Sequence, residues 1–88
     1  MKVILDGLMI HTKDDLHNTF AQAMAFPEWY GRNLDALHDC LTDIHEDSQI
    51  IIYNYPQLEE HLGIYTQGLR AVLRRAEESN PFIHVFFC

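Results

Sequence analysis

Three short apolar runs, separated by longer segments with helical periodicity, constrain the fold of this chain more than any other feature. They read KVILD at 2–6, QIIIY at 49–53 and FIHVFF at 82–87. Runs rich in β-branched and aromatic residues are typical of strands. Because helical segments lie between the strands, the connections are crossovers, and parallel pairing is the natural result. The first run lacks polar alternation, which predicts that helices cover both of its faces.

The segments between these runs carry apolar residues at helical spacing. Thr12 and Asp15 resemble a capping box for the first helix, and Asn80-Pro81 ends the last, because the residue before proline disfavours helix. The predicted helices lie at about 13–24, from 34 through the acidic segment that follows, at 57–62 and at 66 to about 79. The residues predicted to face inward on the first and last helices are Leu16, Phe20, Ala23, Met24, Leu69, Val72, Leu73 and Ala76.

These elements predict one domain over residues 1–88 with an α/β fold, a small three-stranded parallel sheet packed with about four helices. The first apolar run meets Asp6 too soon for a signal peptide or a membrane span, so we expect a cytoplasmic protein. In a reducing compartment, Cys40 and Cys88 are expected to remain thiols. The sequence carries no signal of oligomeric state, and a monomer is assumed.

The segment PEWYGRNLDALHDCL at 27–41 predicts a shaped loop followed by a helix. Its proline restricts one backbone torsion and its glycine tolerates torsions that other residues avoid, so the aromatic pair between them lies in a defined loop. Of that pair, Trp29 is expected to be exposed and Tyr30 to be buried. Asn33 is a favourable N-cap. The buried stripe of the helix is predicted to be Leu34, Leu37 and Leu41.

The charge pattern of this helix points to a cationic partner. Asp35 and Asp39 are four residues apart, which places both carboxylates on one exposed face. The whole chain has 13 acidic and 6 basic residues and a net charge of −7. Nucleic acids and anionic membranes need a basic surface, so neither is expected as a direct partner. Between 33 and 47 there is no Lys or Arg, and the acidic residues are Asp35, Asp39, Asp43, Glu46 and Asp47.

The motifs YG, NLDAL and DCL within 27–41 resemble the signature segment of the barstar family, and the order of elements resembles that family over essentially all 88 residues. The resemblance implies an intracellular protein inhibitor of a bacterial ribonuclease, with no cofactor and no catalysis of its own. It implies that the loop and the acidic helix enter the active-site cleft. There Asp39 would be the central phosphate mimic, Asp35 the second charged contact and Trp29 an aromatic anchor. The residues expected to bind the partner are Trp29, Asn33, Asp35, His38, Asp39 and Asp43.

Three positions depart from the family's pattern and bear on the identity of the partner. His38 and Ile44 stand where the best-known member has tryptophans, and Arg75 stands where that member presents an acidic contact. A basic residue at the edge of the interface would be repelled by a cleft whose basic groups bind a carboxylate at that position in other members. A second interpretation therefore stays open, an immunity protein or antitoxin for a different nuclease toxin.

A small metal-binding protein or metal-dependent hydrolase is the enzyme-class alternative, because the chain has six histidines. His38 and His45 are seven residues apart, which separates them by about 10 Å along a helix, too far to share one ion. No metal site is therefore predicted. A cysteine nucleophile is not favoured either, because the acidic residues near Cys40 would raise the pKa of its thiol.

Overall fold

The computed structural model describes residues 1–88 and contains the predicted order of strands and helices. The fold class is confirmed, because three parallel strands form one sheet and four helices accompany it. The third and fourth helices begin slightly earlier than predicted. The strands are β1 (Lys2–Asp6), β2 (Ser48–Tyr53) and β3 (Ile83–Phe87), and the helices are α1 (Lys13–Met24), α2 (Leu34–Thr42), α3 (Tyr55–Leu62) and α4 (Tyr65–Ser79).

The strands lie in the order β1-β2-β3, with parallel pairing throughout. The register places Ile4 beside Ile51 and Ile51 beside Phe86, so these side chains form a row across one face of the sheet. The Ile-rich β2 is the central strand, and β1 and β3 are the two edges.

The helices cover one face of the sheet and leave the other face open. Val3 and Leu5 of β1 are completely buried, whereas Ile4 between them is 52% exposed. Phe86 of β3 is also largely exposed. The expectation that helices cover both faces of β1 is therefore wrong, because the buried residues of all four helices share one core with the inward-facing residues of the strands.

Helix α1 begins at the predicted capping box. Thr12 Oγ1 accepts a hydrogen bond from the N–H of Asp15 (3.0 Å), and Asp15 Oδ2 accepts one from the N–H of Thr12 (3.2 Å). Ala23, predicted to face inward, is exposed, and His17 is buried instead. The buried residues of α1 are Leu16, His17, Phe20 and Met24.

The ends of β1 and β2 are joined closely at Gly7. A Cβ at this position would lie 2.2 Å from the carbonyl oxygen of Asn54, so no other residue fits without a backbone shift. Asn54 has φ 54° and donates from Nδ2 to Asp6 Oδ1 (2.8 Å). These contacts set the position of α3, which starts at the next residue.

Helix α4 buries the stripe predicted for it, together with Thr66. None of the four helices has both the length and the apolar character that crossing a bilayer requires. Cys40, half-buried in α2, and Cys88, exposed at the C-terminus, are free thiols.

Candidate functional site

The loop between α1 and α2 separates its two aromatic residues into different environments. Trp29 is 85% exposed, whereas Tyr30 is 7% exposed. A tight turn holds them there, because the N–H of Tyr30 donates to the carbonyl oxygen of Pro27 (2.9 Å). Both predictions for the pair are confirmed, and the indole of Trp29 lies on the surface.

Left-handed backbone in this loop occurs at Ala25 and Arg32, not at Gly31. Ala25 has φ 52° where α1 ends, and Arg32 has φ 56° just before α2. The guanidinium of Arg32 donates to Asn18 Oδ1 of α1, which holds the strained residue in place. Gly31 serves close packing instead, because a Cβ there would lie 3.2 Å from the Cβ of Ala36.

Asn33 is the N-cap of α2, as predicted. Its backbone is extended, its Oδ1 accepts from the N–H of Ala36 (2.8 Å), and its Nδ2 donates to the carbonyl oxygen of Gly31 (3.3 Å). Both ends of the amide are therefore used within the fold. Asn33 determines where α2 begins, and its contact with a partner stays a prediction.

The other end of α2 is held by Asn80, which is buried between α4 and β3. Its Nδ2 donates to the carbonyl oxygens of Leu41 and Ile44, each at 2.9 Å, and its Oδ1 accepts from the N–H of Phe82 (3.0 Å). The last carbonyl groups of a helix have no hydrogen-bond donor within the helix. Here the side chain of Asn80, from a turn distant in the chain, is the donor. In the sequence, Asn80 signals only the end of α4.

His17 of α1 lies beneath the loop and connects it to α4. Its Nδ1 is 2.6 Å from the hydroxyl of Tyr30, and its Nε2 is 2.8 Å from the hydroxyl of Tyr65. Burial lowers the pKa of His17, and the charge of Arg32 lowers it further, while Asp14 acts in the opposite direction. A neutral imidazole has one nitrogen that donates and one that accepts, so it can bond to both hydroxyls.

Asp35 and Asp39 of α2 and Asp43, which directly follows the helix as its C-cap, form an exposed row, which we call the acidic face. None of the three is in a salt bridge. Asp35 lies in the first helical turn, where the helix dipole stabilises negative charge. The remaining acidic residues of the run have partners in the fold: Glu46 lies 3.8 Å from the N-terminal amine, and Asp47 lies 3.8 Å from an imidazole nitrogen.

The loop and α2 enclose a groove of about 490 Å³. Trp29 and Tyr30 line it from the loop, and Asp39 and Asp43 line it from the end of α2. Eight of the twelve lining residues are hydrophobic, so the two carboxylates are the charged groups of a mainly apolar groove. A cation with a flat apolar surface, such as a guanidinium or an imidazolium, suits this combination.

The other residues singled out in the sequence differ in whether they line the groove. Asp35 is exposed and His38 is half-buried, and both lie outside the groove lining. Ile44 is half-buried and lines the groove, whereas Arg75 is exposed on α4. Of the residues predicted to bind a partner, Trp29, Asp39 and Asp43 therefore line the same groove.

The histidines do not form a metal centre. No group of three or more His, Cys, Asp or Glu side chains is placed to hold an ion. His45 lies beyond the end of α2, so helical spacing from His38 does not extend to it. The pair that the fold does bring together is His11 and His61, whose ring centroids are 4.5 Å apart. His61 Nδ1 is also 2.8 Å from the carbonyl oxygen of Ile10.

The Cys40 thiol lines the groove without being activated. Its pKa is raised chiefly by burial and then by the charges of Asp43 and Asp39. The predicted direction is confirmed, although burial is the larger cause. A thiol that stays protonated is a poor nucleophile.

Comparison with known proteins gives two findings. The family model described as Barstar (barnase inhibitor) matches residues 1–87. A protein of Bacillus subtilis (strain 168), named "Putative ribonuclease inhibitor YrdF", is 35% identical over 78 residues, which is 88% of this chain and 86% of that protein. Both matches cover most of the chain. The family model includes the whole of α2 and the loop before it.

Proposed function

Because this chain belongs to the barstar family, we propose that it is a protein inhibitor of a ribonuclease. It binds over the active-site cleft of the enzyme with the acidic face of α2 and with the loop that precedes it. The main support is that Asp35, Asp39 and Asp43 have no cation within the fold. Like charges four residues apart destabilise a helix, and a cationic partner reverses that effect.

Asp39 is the central contact of the proposed complex. A ribonuclease holds a phosphodiester, so its cleft presents Arg, Lys and His side chains, and a carboxylate can take the place of the phosphate oxygens. Asp39 lines the apolar groove, where a bound cation would be shielded from water and the attraction strengthened. Asp43 lines the same groove. Asp35, outside the groove, makes the second and more solvated contact.

Trp29 supplies the apolar part of the interface. Its side chain is 85% exposed, and a large exposed indole beside a groove is suited to be an interface anchor. It packs over the groove of the enzyme while Tyr30 stays buried and holds the loop. Asn33 and His38 border the same surface and complete the proposed contact with the enzyme.

The protein acts in the cytoplasm, and one copy of it blocks the active site of one enzyme molecule. It needs no cofactor and catalyses no reaction. An immunity protein or antitoxin for a different nuclease toxin is the second candidate. Arg75 favours it, because this exposed residue of α4 has no acidic partner and would be repelled by a basic surface. The two candidates share the mechanism and differ in the enzyme that is bound.

The experiment is a capture from lysate of the source cells with three immobilised proteins, followed by an assay of RNA hydrolysis by the captured enzyme. The first is the wild type, and the second is the double variant Asp35→Ala/Asp39→Ala. The third, Glu59→Ala/Glu78→Ala, removes two exposed carboxylates from α3 and α4 and so makes the same change in net charge.

We expect the wild type and the control variant to capture a small basic nuclease and to inhibit it, and the acidic-face variant to lose both effects. Equal capture by the two double variants would mean that the binding surface lies elsewhere. A captured nuclease that keeps full activity while bound would contradict inhibition itself.

A further inference from the structure

The β3 edge of the sheet is covered by side chains of α4. The N–H of Val85 donates to Glu77 Oε2 (2.7 Å), and the carbonyl oxygen of Val85 accepts from Arg74 Nη1 (3.5 Å). Arg74 and Glu77 are themselves paired at 2.9 Å. The main-chain groups of Val85, at the middle of this edge, are therefore already in use, which hinders the addition of a strand there.

The β1 edge has no such cover. The carbonyl oxygen of Met1 and the N–H of Gly7 both bond to β2, so the odd-numbered residues of this segment direct their main-chain groups toward β2. The even-numbered residues Lys2, Ile4 and Asp6 therefore direct theirs away from the sheet. The hydrogen bonds made by loops and turns include none to the main chain of Lys2 or Ile4, whereas the carbonyl oxygen of Asp6 accepts one from the N–H of Met9 (2.9 Å).

We propose that the β1 edge pairs antiparallel with the β1 edge of a second copy of this chain and forms a continuous six-stranded sheet. The pairing is centred on Ile4, which lies opposite Ile4 of the second copy. Lys2 then lies opposite Asp6 of the second copy, and the two-fold symmetry repeats this pair. The run KVILD is thus complementary in charge to its own reverse.

Both members of that charge pair are available. Lys2 and Asp6 point to the open face of the sheet, because residues two and four apart in a strand share a face. Neither is in a salt bridge. Asp6 Oδ1 accepts from Asn54 Nδ2 (2.8 Å) and from the N–H of Leu8 (2.9 Å), which leaves Oδ2 free for a lysine. Opposite charges placed directly across two strands stabilise their pairing.

The apolar row on the open face supports the same arrangement. Ile4 is 52% exposed at the edge of the sheet. From Ile4 the row continues through Ile51 to Phe86. Pairing at β1 would place the row of one copy next to the row of the other. The contact is small and each copy carries a charge of −7, so we expect association at high protein concentration, where it would replace the assumed monomer.

The experiment is sedimentation equilibrium of the whole chain from about 10 µM to about 1 mM, the range of weak complexes. The mass of the wild type should rise from 10.3 kDa toward that of a dimer. Lys2→Glu places two acidic residues opposite each other at both ends of the pairing and should weaken association about tenfold or more. Lys13→Glu makes the same change in net charge on α1 and should leave association unchanged.

Hydrogen exchange of the Ile4 amide locates the contact, because pairing should slow its exchange as concentration rises. A constant mass of 10.3 kDa at all concentrations would overturn the proposal. Equal weakening by the two lysine variants, or a rise in mass without protection of Ile4, would also overturn it. Lys2→Glu should still inhibit the ribonuclease as the wild type does, so failure here is distinct from failure of the proposed function.

Discussion

Helices α2 and α4 pack against each other but differ in their charged residues. Acidic residues lie on the exposed side of α2, whereas α4 carries three arginines, two of which have partners within the fold. They approach closely at Gly68 of α4, where a Cβ would lie 2.8 Å from Leu34 Cδ1 of α2. On α4, Arg70 lies over the ring of Phe87 at 4.9 Å, and Arg74 lies over the same ring at 4.9 Å. These cations are partnered within the fold.

The carboxylates of α2 have no such partners. Asp35, Asp39 and Asp43 are exposed and outside any salt bridge, and two of them line a mainly apolar groove. Charge by itself therefore does not mark a binding surface. A charge that the fold already satisfies has a structural role, whereas a row of unsatisfied charges beside an exposed tryptophan is available for a partner.

The largest expected effect is on binding. Asp39→Ala should weaken the complex with the captured nuclease by about 2–5 kcal/mol, because it leaves basic groups of the enzyme buried without a partner. Asp35→Ala should weaken it less, because Asp35 lies outside the groove. Dissociation constants from titration calorimetry measure both changes.

Glu78→Ala is the matched control for that comparison, because Glu78 is exposed on α4 and makes no salt bridge. Its binding should equal that of the wild type. If Glu78→Ala weakens the complex as much as Asp39→Ala does, the acidic residues of α2 are no more important for binding than an exposed acidic residue of α4.

A smaller effect is expected on the stability of the link between the two helices. Asn80→Ala removes the amide that bonds to Leu41 and Ile44 at the end of α2, and the buried carbonyl oxygens left without donors should lower the free energy of unfolding by about 3 kcal/mol. Urea denaturation measures this change. Ser79→Ala, at an exposed neighbouring position, should change stability little. Equal stability of the two variants would show that α2 is held without Asn80.

The smallest effect is the pH dependence that His17 gives to the loop. Its pKa is lower in the folded protein than the ordinary 6.5, because the neutral ring is buried. The unfolded chain therefore binds a proton first as the pH falls, so the full stability is present above about pH 6.5 and is lost below it. A single proton contributes a slope of at most about 1.4 kcal/mol per pH unit.

Urea denaturation between about pH 7.5 and about pH 5 tests this with His17→Gln, whose amide cannot titrate. The variant should lack this part of the slope. His45→Gln, at an exposed site after α2, should keep it. A wild-type slope that survives in His17→Gln would assign the pH dependence to another group.

The features predicted correctly depend on residues close together in the chain. Thr12 and Asp15 cap α1, and Asn33 caps α2, through bonds that span three residues. The acidic face follows from the spacing of Asp35 and Asp39 in the same way. Such features are set by local geometry, so the sequence alone is enough to find them.

The features that the sequence did not reveal join residues far apart. His17 bonds to a tyrosine 48 residues away, and Asn80 bonds to a carbonyl group 39 residues away. The sequence predicts that Ala23 faces inward, but the fold buries His17 instead, because two hydroxyl groups from other elements satisfy its ring. No local pattern could indicate that a polar residue finds such partners.

The order of elements, the helix caps and the row of acidic residues can be predicted from the sequence, because short-range sterics and periodicity decide them. Three further features are visible only in the folded structure: every helix packs on one face of the sheet, Trp29 and Asp39 line one groove, and side chains cover the middle of the β3 edge but not the β1 edge. These outcomes depend on how elements distant in the chain meet, and the burial and hydrogen bonds of each side chain follow from that meeting.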